Sequence, residues 1–299
     1  MTNSVQFGRR STADRVLAGI DLTGRRILVT GCNSGLGLAT LNALAANGAT
    51  VIGLARTLRA ASQACTAASP HCVPVACDLT DFNSIVAALA AIESLAIPLD
   101  AVVANAGVAN LPGLQIRHGV EMQFLTNHIG HFMLVNGLVD LLRDGSGRVV
   151  IVSGAAAAAS DQGIMFDNLD GRRFYDPATF YAQSKLANAL FAKELSRRLG
   201  DRGIAVNSAD PGSARTRLRT GLVARLFMKS AEQGAATQTL LAASPLAAGI
   251  SGGHWRDCRI SQAHPLLDDT ALGRRLWDVS QQIVDRHKPA GGQSLRHAA

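Results

Sequence analysis

Thr30-Gly31-Cys32-Asn33-Ser34-Gly35-Leu36-Gly37 closes the β-branched run Arg26–Thr30 and opens the apolar, helically spaced segment Leu36–Ala46. A strand, a glycine-rich turn and a helix in that order make an anion site. Backbone N–H groups converge at the helix N-terminus with the helix dipole behind them. Glycines remove the Cβ atoms that would hold a pyrophosphate off, and they allow positive φ in the tight turn. The same composition occurs in bare β–α turns; the strand before and the helix after favour the nucleotide. Gly31, Asn33, Ser34, Gly35, Leu36 and Gly37 are therefore the expected phosphate-holding residues.

Outward from this turn, apolar runs recur at Thr50–Leu54, Val73–Cys77, Ala101–Ala104, Arg148–Val152 and Ile204–Asn207. Each reads as a strand buried on both faces. Helical stretches lie between them at Asn83–Ser94, Gly119–Leu142 and Thr179–Leu199. This alternation needs βαβ crossovers and predicts an α/β fold, a doubly wound parallel sheet in a single domain over 24–287. Residues 1–23 read as an N-terminal extension in which Ser11–Ala18 forms a short docking helix, and 288–299 as a flexible tail. Ala155–Ala178 and Arg215–Lys229 read as functional loops, the second a mobile flap.

The 299 residues are 47% hydrophobic and 17% charged, enough for a full core and too apolar for a disordered chain. Ile27–Ala55 carries no Asp, Glu, Lys or Arg, yet glycines and asparagines punctuate it as strand, turn, helix and strand, not as one lipid-crossing helix. Met1–Arg10 lacks the apolar core of a secretory signal, so a cytoplasmic protein is expected. Five cysteines without a C-x-x-C pair read as reduced buried thiols, neither a disulfide framework nor a metal site. The net charge of +7 comes from arginine pairs scattered along the chain, with only 4% aromatics for base stacking, which disfavours a nucleic-acid partner. The preference for arginine over lysine and the abundance of alanine suggest a bacterial source.

The second strand ends Gly53-Leu54-Ala55-Arg56. NAD-selective dinucleotide folds place a carboxylate there, on the adenosine ribose. This chain has none, and Arg56 can pair with a 2′-phosphate. NADP(H) is expected and NAD(H) disfavoured; the bland alternative makes Arg56 a solvated strand end.

Tyr181-Ala182-Gln183-Ser184-Lys185 opens the helix after the long loop. At i and i+4 the phenol and the ammonium share one helix face. A free phenol titrates near ~10, and a neighbouring cation lowers that by favouring the phenolate. Such a pair can trade a proton with a substrate oxygen while a nicotinamide trades a hydride. The spacing by itself is common by chance.

Together the turn and the Tyr/Lys pair resemble the short-chain dehydrogenase/reductase family, and further landmarks follow in that family's order. Asp78-Leu79 matches the pair that contacts adenine, and Asn105-Ala106-Gly107 the motif that supports the sheet beside the cofactor. Thr126-Asn127-His128-Ile129-Gly130-His131-Phe132 is similar to a helix of the retinol-dehydrogenase-like branch, as are Gly253–Cys258 and Leu276–Ser280. Pro211-Gly212, followed by Thr216, matches the segment that binds the nicotinamide carboxamide. The resemblance covers roughly residues 20–287 and implies a Rossmann-type fold, a nicotinamide cofactor and a small-molecule alcohol or carbonyl substrate. It assigns Tyr181 as general acid/base, Lys185 as holder of the nicotinamide ribose, and Asn127 as holder of a proton-relay water. It also implies a homo-oligomer, dimer or tetramer, through helices whose alanines (Ala182, Ala187, Ala189 and Ala192) permit close packing; a C-terminal extension that blocked this face would leave a monomer. His128 and His131 could bracket an ion, but no third ligand stands out and no metal is expected; His131 reads as a satisfied buried residue.

One departure stands out. The fifth strand reads Val149-Val150-Ile151-Val152-Ser153-Gly154. In the family the second of two adjacent small residues is the catalytic serine, and a strict count puts Gly154 there. Strand residues alternate sides, so a one-residue shift matters. Ser153 is the favoured donor, through a local deletion, with Ser160 as an alternative. Ala155–Ala159, Met165, Phe166, Leu218, Leu222, Leu226 and Phe227 are expected to line a fairly apolar pocket. The competing function is a nucleotide-binding regulatory or scaffold protein on the same fold, with impaired catalysis.

Overall fold

The computed structural model describes residues 7–154, 163–212, 228–261 and 264–287. Five of the six apolar runs become inner strands of an eight-stranded sheet ordered β10-β9-β8-β7-β4-β1-β2-β3, while Val73–Cys77 lies at its edge and is only partly buried. The strands of the sheet are β1 (Arg26–Thr30), β2 (Thr50–Ala55), β3 (Val73–Ala76), β4 (Ala101–Ala104), β7 (Arg148–Val152), β8 (Ala205–Asp210), β9 (His254–Arg256) and β10 (Arg259–Ile260). Neighbours pair in parallel except at β10, which is antiparallel to β9. A small hairpin, β5 (Ile116–Arg117) with β6 (Val120–Glu121), stands apart from the sheet.

Alternation along each strand divides the core into two layers. Ile27, Val29 and Val51 pack with α1 (Ala13–Leu17), α2 (Gly35–Ala46), α3 (Leu58–Ala68) and α8 (Ala231–Ala243). Leu28, Ile52 and Val102 face the other way, onto α4 (Phe82–Glu93), α6 (Gly130–Leu138), α7 (Pro177–Arg198) and α9 (Thr270–His287). The sheet is thus doubly wound and Rossmann-type, as expected. The chain leaves β1 towards β2 on one side and returns through β4 on the other. Such a reversal of strand order is where α/β sheets generally bind ligands, beyond the carboxyl ends of the strands.

The structure adds elements beyond those expected: α3, α8, α9, the edge pair β9–β10 and the β5–β6 hairpin. The expected docking helix is α1, and its Ala13, Val16 and Leu17 are buried in the core. Gly119–Leu142 is not one helix. It runs from β6 through α5 (Met122–Phe124) into a π-helical segment, Leu125–Ile129, and then α6. Single π turns inside helices gather at functional sites, and this one carries Asn127.

Two expectations are corrected. Cys65 and Cys72 pair as a disulfide with Cα atoms 5.0 Å apart. The turn from the end of α3 into β3 brings them together, whereas Cys32, Cys77 and Cys258 are free and buried. The alanine face of α7 is not open for pairing: Ala182, Ala187, Ala189 and Ala192 are buried within the chain itself. Leu276 and Trp277 of α9 share the core cluster with Ala187, Ala189 and Ala192.

Candidate functional site

Helix α2 begins at the end of β1 with Ser34 at its N-cap, in an extended conformation and making no side-chain cap bond. No acidic residue lies in the first turn. The first backbone N–H groups are therefore left for an anion. Gly31 has φ 67° and Gly35 φ 54°, so the turn needs residues without a Cβ at these points. A Cβ on Gly37 would run into the Gly31 carbonyl oxygen and lie 2.5 Å from Asn105 Nδ2. The cradle fits a pyrophosphate by its backbone alone. Gly37→Ala is expected to weaken binding of any pyrophosphate-bearing nucleotide about tenfold, read by fluorescence titration, because the turn must open to accept the methyl.

A buried polar network fixes the turn against β4. Thr30 Oγ1 accepts from the backbone N–H groups of Asn105 and Ala106, each at 2.9 Å. Its own proton goes to His131 Nε2, 2.9 Å away. The imidazole must then carry its proton on Nδ1, which donates to the Asn127 carbonyl at 2.9 Å. Burial pushes His131 down to about 4, so the ring is neutral. Asn105 donates to the Thr30 carbonyl and accepts from Gln238 of α8, which also donates to Thr40 of α2. His131 is a satisfied structural group, as expected; Gln238 was invisible, since its contacts lie 133 and 198 residues away in sequence.

Tyr181 and Lys185 stand one turn apart on α7, with Lys185 Nζ 5.8 Å from the Tyr181 ring centroid. Lys185 is 4% exposed and donates to the Val152 carbonyl at 3.2 Å. Desolvation brings its ammonium down to about 8, against the opposing pull of Asp210. The cation therefore persists at neutral pH. Asn127 closes the same space: a Cβ on Gly107 would lie 3.0 Å from Asn127 Oδ1 and 3.6 Å from Lys185 Nζ. Both amide protons of Asn127 are used, on the Val108 carbonyl and Ser184 Oγ, and its Oδ1 accepts from Val108 N. The side chain braces the loop after β4, and the second lone pair of Oδ1 is what it can offer a water.

Ser153 pairs with the neighbouring strand. Its hydroxyl is 1% exposed and donates to the Ala209 carbonyl of β8 at 3.2 Å. At Gly154 a Cβ would meet no atom of the described residues within 4 Å. By the strict count the family's serine position falls on this glycine.

Around this centre, Arg56 is exposed at the end of β2. Asp78 follows β3 and holds Thr80 through Oδ1, while Leu79 is buried against Gly130, where a Cβ would strike the Leu79 carbonyl. Asn105, Ala106 and Gly107 follow β4. Pro211-Gly212 follows β8, and Gly212 N donates to Asp210 Oδ1 at 2.7 Å, so Asp210 shapes that turn. Phe166 lies under the Arg275 guanidinium at 4.1 Å, and Met165 N donates to Gln183 Oε1. Thr216, Ser160, Ala155–Ala159, Leu218, Leu222, Leu226 and Phe227 lie outside the described residues, as do 1–6 and 288–299. Among the described residues no group of three or more His, Cys, Asp or Glu is placed to hold a metal, and no helix is long and apolar enough to cross a membrane.

The family model for short chain dehydrogenase matches residues 25–226. Human retinol dehydrogenase 14 is 34% identical over 87% of this chain and 86% of its own length. A Streptomyces lividans protein named "Probable oxidoreductase" is 41% identical over 89% of this chain and 99% of its own. A crystal structure from Mycobacterium paratuberculosis superposes with a TM-score of 0.75 at 30% identity, covering 90% of this chain and 97% of that one. With the phosphate cradle, the Tyr/Lys pair and the sheet order already in place, the chain belongs to the short-chain dehydrogenase/reductase family and is retinol-dehydrogenase-like within it.

Proposed function

We propose that this protein is an NADP(H)-dependent oxidoreductase interconverting an alcohol and a ketone or aldehyde of a fairly apolar small molecule, with Tyr181 as general acid/base. The observation that carries the reading is a buried, charged Lys185 one helical turn from Tyr181 and beside Asn127. Gly31, Asn33, Ser34, Gly35, Leu36 and Gly37 would hold the pyrophosphate. Asp78 and Leu79 would meet the adenine, and Asn105, Ala106, Gly107, Pro211, Gly212 and Thr216 the nicotinamide half. The bound nicotinamide supplies or accepts the hydride. Tyr181 moves the proton at the substrate oxygen, and the Lys185 cation favours its phenolate.

Arg56 carries the NADP(H) preference, since no carboxylate stands where an NAD enzyme needs one. Arg56→Glu is expected to lower the NADPH-over-NADH ratio of kcat/KM by about tenfold to fiftyfold. An unchanged ratio would remove Arg56 from cofactor choice. A homo-oligomer must pair through surfaces other than the α7 alanine face, and light scattering against the 31.2 kDa monomer decides its size.

One observation favours a second reading, a nucleotide-binding protein with impaired chemistry: Ser153 faces β8 and Gly154 has no hydroxyl. Turnover of NADPH with a panel of aldehydes, ketones and quinones separates the two. Tight cofactor binding without turnover of any of them supports the second.

A further inference from the structure

A cavity of about 160 Å³ lies between α7 and the edge strands β8, β9 and β10, and none of its lining residues belongs to the phosphate turn or the Tyr/Lys pair. Its walls follow from two periodicities. On α7, Ala189 and Lys193 continue the i+4 row of Tyr181 and Lys185 down the helix. On β8, Ser208 shares the side of Val206, which packs in the same core layer as α7, and the parallel register sets His254 of β9 beside it. Leu267, from the short 3-10 turn Pro265–Asp268, and Ile260 of β10 complete the walls. Ile260 is 63% exposed, so the mouth opens at the edge of the sheet.

The polar groups on these walls are donors. Ser208 is buried, and its Oγ lies 2.8 Å from His254 Nδ1, its one side-chain hydrogen-bond partner among the described residues. The hydroxyl therefore donates to Nδ1, and the ring carries its own proton on Nε2. Burial lowers the titration of His254, against the pull of Asp210 and with the push of Arg256, so the ring is neutral at neutral pH. Its Nε2 makes no hydrogen bond to the described residues. Lys193 adds an ammonium whose partner, Asp268, is 3.5 Å away and 82% exposed. So wet a pair holds its cation weakly. The volume is that of about five waters, well under the ~300 Å³ at which drug-sized ligands begin.

We propose that this cavity binds a short-chain monocarboxylate, its head group held between Lys193 Nζ and His254 Nε2 and its chain laid on Ala189, Ile260 and Leu267. A carboxylate accepts from both donors at once, and an alcohol of the same length leaves the ammonium unmatched. The site shares α7 and β8 with the proposed reaction centre but no residue with it, so it stands whether or not Tyr181 moves a proton.

The experiment needs no turnover. The chain has eight histidines, so their ring signals can be followed by NMR in protein labelled with ¹⁵N at histidine, and the signal lost in His254→Gln assigns the reporter. Titration of the full chain with sodium butyrate at constant ionic strength and neutral pH is expected to shift the His254 signal saturably. Acetate, with the same head group and two methylenes fewer, should bind about tenfold more weakly. Lys193→Gln keeps the length of the side chain and removes its charge, and should weaken butyrate about tenfold. Melting temperature controls for folding of the variant, and saturating NADPH should leave the butyrate curve in place. A His254 shift that never saturates, or equal affinity in Lys193→Gln, overturns the proposal. So does binding of butanol or inorganic phosphate as tight as that of butyrate, or displacement of butyrate by NADPH.

Discussion

Tyr181→Phe is expected to lower carbonyl turnover by about 10³-fold while leaving NADPH affinity within about twofold. The substitution removes one oxygen and keeps the ring that packs on α7, so folding and the phosphate cradle are untouched. In the proposed reaction the lost oxygen is the proton carrier. Without it the substrate oxygen must take its proton from water, forfeiting a step for which a positioned acid is worth about 10²–10⁴. The size of the effect depends on Lys185, whose cation survives burial up to about pH 8 and favours the phenolate nearby. Steady-state kinetics by nicotinamide absorbance, with cofactor affinity measured separately, checks both halves. A variant that turns over substrate like the wild type would move the chemistry away from Tyr181 and leave this protein a binding module.

The fold was legible where burial on both faces writes an uninterrupted apolar run, as in β1, β4 and β7. It was not legible at the sheet edge. β9 and β10 are three and two residues long and mix His254, Arg256 and Arg259 with Trp255 and Ile260, so they carry no period to read. Helix α9 did carry a signal: its buried residues Gly273, Leu276, Trp277, Ser280, Ile283 and Val284 recur at spacings of three and four. The π segment had none, because the Asn127 amide is held by Val108 and Ser184, 19 and 57 residues away. For the site, local motifs exposed the groups proposed to face ligands: the glycine turn, Tyr181, Lys185 and Asn127. The groups that brace that region, Thr30 with His131 and Gln238 with Asn105, meet only through long-range folding. A cysteine spacing of seven likewise says nothing until a helix end and a strand start fix where both Sγ atoms fall.

Gly154→Ser is expected to raise kcat for carbonyl reduction on the order of 10²-fold, the converse of deleting one preorganised oxyanion donor. The argument begins at Ser153, whose hydroxyl already has an acceptor in the Ala209 carbonyl and is closed off from solvent. Ser153→Ala should therefore cost about 1 kcal/mol of stability and leave kcat within about twofold. The next residue is different. Gly154 has φ 158°, a backbone that L side chains rarely adopt, and a Cβ there meets no atom of the described residues within 4 Å. A serine side chain has room among the described residues, but the backbone must turn by about 40° to reach the common extended range, so the substitution costs stability. Its hydroxyl would join Tyr181 in polarising the substrate oxygen, and because that contact strengthens as charge develops, the gain should fall on kcat and spare the KM for NADPH. If Gly154→Ser binds NADPH normally and is no faster, the glycine is not a missing donor. Substrate oxygen would then be held by Tyr181 without help from this strand, and the slow chemistry that the glycine implies would have to be sought elsewhere in the cleft.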